Sequence, residues 1–487
     1  MNKLYFFISL FIFISTLSAQ VMDGTWSCAY ATVDDQSNGT GYNTISVAVI
    51  GNNNFAALVR RGSNETNFLV GYKDADSING RLGSYGYGSG DLGGLQQIWL
   101  NGFDQVYMRE ALDLASWNNL IFVPNNDFDH NILVFELKED SIYTHPMRMQ
   151  TGTEDSLWAI DIDSEGHVFV TTQGNSDNPS KVLVYDSPDN ESAWSSGYSA
   201  TPLQTLTLPD NGSARGITVN SDGSVFYVSN YDNGKIYAYV GNPTDGYTIS
   251  TTFEFERIDL YTGQSLGTDT LTGSPWGLQF LNNNNILFAA MDVDFWTGTG
   301  YEYGRVLAIN PNTGDVINEL DVAEWNYLTC DSSYYRPSTT SPGNASGYTS
   351  TYNIDFDNEG NMYSQSYYGW TVEKWLYSGT LPTIELTITS VKKLDPKIPT
   401  SFNVSQNYPN PFNPSTTIEF SIKERVEIVL SIYNINGELV THLINGVEFE
   451  SGTYSITFNA SNLSSGTYIY NISNGLNNIS KKMTLIK

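Results

Sequence analysis

Ser213 to Val240, SARGITVNSDGSVFYVSNYDNGKIYAYV, decides the fold. Ile217 and Val219 alternate with polar or small neighbours, a Ser221-Asp222-Gly223 turn follows, and Val225 to Val228 form a second apolar run. An Asn233-Gly234 turn then leads to a third run, Ile236 to Val240. Short runs punctuated by Gly, Asn and Asp read as antiparallel strands joined by hairpins. Three strands of one blade are predicted here, with Phe253 to Ile258 as the fourth.

The pattern recurs with changed residues and kept spacing. The copies are Tyr42 to Arg60, Arg109 to Val123, Leu157 to Thr172, Ala214 to Ser229, Pro275 to Ala290 and Thr351 to Ser366. In the second copy the turn is placed at Ser116-Trp117-Asn118-Asn119. Later runs, Leu203 to Leu208, Val316 to Val322 and Thr383 to Val391, are read as outermost strands. Six units of about four strands suit a closed ring, which leaves no long sheet edge exposed. A small or short residue precedes each inner apolar pair: Ser46, Ala111, Ala159, Gly216, Gly277 and Asn353. Inner strands crowd the ring axis, and close backbone approach needs small side chains there.

Composition agrees with an all-β class. Aromatic residues make up 13% of the 487 residues, and no long segment keeps a 3.6-residue period. Lys3, the apolar stretch Leu4 to Leu17 and the small exit Ser18-Ala19 read as a secretory signal peptide over residues 1–19. That stretch is too short for a span, and no later run reaches roughly 20 apolar residues, so no transmembrane span is expected. A net charge of −29 argues against nucleic acid and anionic membranes as partners.

Asp395 to Thr400 carries two prolines and no alternation, so residues 394–401 read as a linker between a ring at 20–393 and a small Ig-like β-sandwich at 402–487. Four histidines without metal-ligand spacing make a zinc site improbable. Asp161-x-Asp163-x-Glu165-Gly166 and Asp355-x-Asp357-x-Glu359-Gly360 have a calcium-loop look, but both fall at one turn of the repeat, where turn chemistry is the better reading.

Ser274 to Phe280, SPWGLQF, and Tyr227 to Asn230 with Lys235 to Tyr239 resemble repeats of the NHL and YVTN propeller families, a group that includes gluconolactonase-like six-bladed hydrolases. The tail resembles the type A C-terminal sorting domain of the type IX secretion system. That likeness rests on Phe402 to Ile418 (FNVSQNYPNPFNPSTTI), Val429 to Gly437, Leu463 to Tyr468 and the terminal Lys481 to Lys487. It implies a Bacteroidota-like secreted or surface-attached protein that meets the type IX machinery through residues 402–487. The family's sorting domain is removed near the linker after export.

Strand direction locates a site. First-strand starts put Ile45, Glu110, Trp158, Arg215, Trp276 and Tyr352 around one channel mouth, and second-strand ends add Asn125, Asn230 and Asp292. Such a mixture suits stacking on a sugar or an aromatic ligand with polar groups fixing its orientation, and the expected partner is a glycan or other extracellular small molecule, or a protein. The competing reading has the aromatics merely plugging gaps between blades. A metal-dependent gluconolactonase-like hydrolase or lyase is the alternative function. It would hold a divalent cation such as calcium in the channel through residues of the Glu110, Asn230 and Asp292 kind. Binding is favoured over catalysis, because fold alone confers no activity. Cys28 and Cys330, the two cysteines of a chain expected in an oxidising compartment, are expected to form a disulfide.

Overall fold

The computed structural model describes residues 22–31, 42–51, 54–61, 67–72, 97–100, 104–127, 130–138, 142–151, 155–189, 200–255, 259–261, 270–292, 304–322, 325, 350–367, 371–395, 399–460 and 463–487. Residues 1–19, expected as a signal peptide, and Cys330 lie outside them.

Each hairpin predicted from the repeat forms, and six sheets follow one another as the blades of a β-propeller. Blade four shows the unit: Ile217–Val219, Val225–Asn230, Lys235–Asn242 and Gly246–Ile249, each antiparallel to the next. Its second strand is buried along its whole length, because blades cover it on both faces. Aromatic pairs fill the gaps between blades, among them Phe169 with Phe226, Tyr227 with Phe280, Phe288 with Phe356 and Phe55 with Tyr363. The small residues stand where the axis demands them. A Cβ on Gly216 would run into the Trp276 carbonyl, and one on Gly277 into the Tyr352 carbonyl.

Side chains near the axis latch each blade to the next. Asp161 accepts from Val219 N and Thr218 Oγ1 (both 2.8 Å), Thr218 Oγ1 accepts from Phe280 N (2.9 Å), and Asp355 accepts from Val49 N (2.6 Å). Asp113 accepts from Ile160 N (3.0 Å), Ser46 Oγ (3.0 Å) and Asn353 Nδ2 (2.8 Å), joining blades one, two, three and six.

Three expectations need correction. The fourth strand of blade four is Gly246–Ile249, not Phe253 to Ile258; Phe253 and Phe255 instead pack into the core between blades four and five. Blade six takes its outermost strand from the other end of the chain: Trp26–Ala31 pairs antiparallel with Thr371–Tyr377, so the N-terminal strand closes the ring. Residues 383–390 therefore form no blade strand. Their alternation is real, since Ile384 and Ile388 are buried, but the backbone is held by side-chain amides and hydroxyls as well as by backbone groups of blades four and five. Asn285 Nδ2 donates to Ile384 O, Asn312 Nδ2 to Glu385 O, and Thr387 N to Asn312 Oδ1. This strap crosses blades five and four and then pairs as Val391–Asp395 with Gly452–Asn459 of the tail.

The third correction concerns blade two. Asn118 (φ 49°) and Asn119 (φ 66°) make a two-residue turn, so Ala115 faces Phe122 and Trp117 faces Leu120. Paired left-handed residues are what a tight type I′ hairpin needs, and Asn tolerates them. The inner strand is thus shifted by two residues against the four-residue alignment. Asp113, not Ala111, takes the small-residue position, as its bond to Ile160 N parallels that of Asn353 to Val47 N.

The tail is a sandwich of two four-stranded sheets. Its core, including Ile418, Phe420, Leu430, Ile432, Tyr470 and Met483, is separate from those of the blades. Alternating burial along Ser415–Ile422 and Gly452–Asn459 shows one face inward and one outward.

Candidate functional site

One mouth of the channel is built around Arg215. Its guanidinium carbon lies 3.4 Å from the Trp158 ring centroid and 4.2 Å from that of Trp276, so the plane is held between two indoles. Tyr352 stacks on Trp276 with centroids 4.2 Å apart and planes inclined by 22°, and Tyr367 packs against Tyr352. Four consecutive blades contribute Trp158, Arg215, Trp276 and Tyr352, which form a ladder along the rim. Tyr231 meets the edge of Trp276 and donates from its hydroxyl to Asp292 Oδ2 at 2.9 Å.

The ladder explains the electrostatics. Burial between the rings lowers the Arg215 pKa to about 10, against the pull of Tyr231, Asp232, Asp292 and Tyr352, so the side chain stays cationic at neutral pH. Stacking satisfies the guanidinium faces but not its edge, and Nε is buried without an acceptor among the described residues.

The structure brings Trp158, Arg215, Trp276 and Tyr352 into contact and sets Asp292 beside them through Tyr231. Other members of the predicted set lie apart. Glu110 is exposed at a left-handed position (φ 46°), and the blade-two register puts Leu112 where Glu110 was placed. Asn230 is fully buried, donates to Asp210 O and Asn211 O, and accepts from Asn233 N, so its amide organises a loop. Ile45 and Asn125 are buried, and Asn125 accepts from Arg109 N. Glu110, Asn230 and Asp292 therefore do not form a ligand set. Tyr231 and Tyr367 were missed. Both sit one residue past a second strand, and extending the register by one position would have found them.

On the opposite face, Asp163 accepts from Glu165 N and His167 N, and Asp357 accepts from Glu359 N and Asn361 N. Both carboxylates organise their turns, with Gly166 (φ 91°) and Gly360 (φ 81°) in left-handed conformation. Nearer the axis, burial pushes Asp113 and Asp355 up to about 7 and Asp161 up to about 6, against the N–H donors that favour their charged forms. These groups hold protons in the fold at pH values where the unfolded chain, near 3.8, has lost them. Their stabilising contribution is complete below about pH 4 and is lost as pH rises through 6 to 7. Each contributes up to about 1.4 kcal/mol per pH unit of that window. Denaturant midpoints should therefore be higher at pH 5.5 than at pH 7.5, and Asp355→Asn should flatten the difference. A midpoint independent of pH would contradict this account of the latches.

Residues 406–487 match the family described as the secretion system C-terminal sorting domain. The chain is thus a type IX secretion cargo, sent to the cell surface or the extracellular space. No curated protein matches the chain. Solved structures similar to it include a calcium-binding protein, regucalcin, from Agrobacterium tumefaciens (10% identity, 74% of this chain and 98% of that one, TM-score 0.36). A putative 6-phosphogluconolactonase from Bacteroides uniformis is also similar (12% identity, 66% and 76%, TM-score 0.35), as is the β-propeller domain of Myceliophteria thermophila Cps50 (7% identity, 68% and 83%, TM-score 0.35).

Proposed function

We propose that this type IX cargo carries a binding propeller, whose Arg215 mouth takes an extracellular ligand bearing a carboxylate or similar oxyanion, such as an acidic sugar. The supporting observation is the guanidinium itself: held against two indoles while the residue stays partly exposed at the mouth. A rigid planar donor is matched by a planar or tetrahedral oxyanion, and holding it still in advance reduces the ordering cost of binding. Because Arg215 and Tyr352 already cover faces of Trp158 and Trp276, the rings serve mainly to hold the cation. Stacking a sugar ring on them is secondary. Both competing readings of the aromatics thus contribute, since they pack the rim and in doing so shape a donor.

Screening the secreted protein against uronic acids, sialic acid and their neutral counterparts tests the proposal. Acidic members should bind and neutral members of the same size should bind more weakly at this mouth, with affinity falling as salt rises. Equal binding of uronate and parent hexose would refute an oxyanion site.

A further inference from the structure

At the other end of the channel the ring opens into a cavity of about 530 Å³, to which all six blades contribute. That size falls within the roughly 300–1,000 Å³ of small-molecule sites. We propose that this cavity is a second binding site, for a neutral saccharide, with Asp161 and Asp355 accepting sugar hydroxyls while Gln279, Asn283 and Asn358 both donate and accept.

The lining carries no Lys, Arg or His; of its three carboxylates Asp357 pairs with Lys374, and Asp161 and Asp355 disfavour anions, so it does not duplicate the Arg215 mouth. Asp161 and Asp355 come from blades three and six, on opposite sides of a six-membered ring. Each is anchored by N–H donors, Asp161 by Val219 and Ile162 and Asp355 by Val49 and Phe356, which leaves lone-pair capacity for further O–H donors.

The amides are the more telling feature. Many asparagines on this face are committed to the fold: Asn284, Asn285 and Asn312 hold the strap, Asn361 bonds Asp357, and Asn282, itself in the lining, accepts from Ser221 N. Gln279, Asn283 and Asn358 line the cavity, and no hydrogen bond ties their side chains to the described residues. Groups that donate and accept at once complement hydroxyls, which do the same. Trp117 stands at the rim, over Gly166, where an indole can meet the C–H face of a pyranose. A bare cation fits less well. Asp161 and Asp355 stand on opposite sides, the third lining carboxylate, Asp357, already pairs with Lys374, and among the described residues no three His, Cys, Asp or Glu side chains converge.

Calorimetry on the full chain decides the matter, using glucose, galactose, mannose, N-acetylglucosamine, maltose and cellobiose, with calcium chloride as a separate titrant. At least one saccharide should bind. Gln279→Ala and Asn358→Ala, which leave every blade latch in place, should each weaken it about tenfold, the loss of one hydrogen bond. Arg215→Gln should leave it unchanged, which separates this site from the one proposed at the other mouth. The inference is overturned if no saccharide gives heat at concentrations on the order of 10 mM. It also falls if binding survives both substitutions at unchanged melting temperature, or if calcium binds and those substitutions abolish that binding instead.

Discussion

A chain ending at Thr400 should fold, melt much as the ring of the full chain does, and remain in the periplasm while the surface and medium fractions lose it. The ring does not need the tail to close, because its last gap is sealed from the N-terminal side by Trp26–Ala31 on Thr371–Tyr377. Nor do the two share a core: the sandwich interior draws on residues from Val391 onward, whereas the blades pack among themselves. The truncation leaves Val391–Asp395 without its partner strand Gly452–Asn459, a local loss at the end of the strap. Immunoblots of periplasmic, surface and culture fractions, with protease resistance of the retained ring, check both halves. Export of the truncated chain at the parental level would mean that the sorting information lies elsewhere.

Loss of the closing strand should have the opposite signature, a tail that still folds and a ring that does not hold. Trp26 is 7% exposed, with its ring 5.0 Å from Tyr377 and 6.2 Å from Phe288. Met22 is buried in the same cluster, its carbonyl bonded to Asn318 Nδ2, and Gly24 N donates to Tyr377 Oη. Trp26→Ala should cost about 3–5 kcal/mol, the range for truncating a buried large aromatic. Deleting residues 22–31 should cost more, since it bares the edge of Thr371–Tyr377 and invites pairing with other chains. Thermal melts and light scattering of the secreted protein read both effects. A deletion that melts with the parent would show that the ring is closed by something other than this strand.

How far the sequence revealed all this depends on what each signal encodes. Alternation and turn residues are local, so six blades and their inner and second strands were legible, as were Gly216 and Gly277 at the crowded axis. The fourth strand of blade six was not. Its partner lies about 350 positions away in the chain, and the strap at 383–390 supplied a decoy, because Ile384 and Ile388 alternate to bury against blade turns instead of joining a sheet. Blade two misled for a different reason. Asn118 and Asn119 close a hairpin in two residues where Asp163 to His167 take five, and that shift removed Glu110 from the mouth. Where the register was right, Trp158, Arg215, Trp276 and Tyr352 came together as strand direction required. Side-chain geometry then added what no alignment holds: the cation lies inside the aromatic stack.

Titration of an acidic saccharide that binds, such as a galacturonate oligomer, into the secreted wild-type protein and into Arg215→Gln tests that assignment most directly. Removing one charge-assisted donor should weaken binding by about 10- to 100-fold, with Trp158 and Trp276 fluorescence no longer responding to ligand. Equal affinity of the two proteins, at matched melting temperature, would contradict the Arg215 mouth as the binding site.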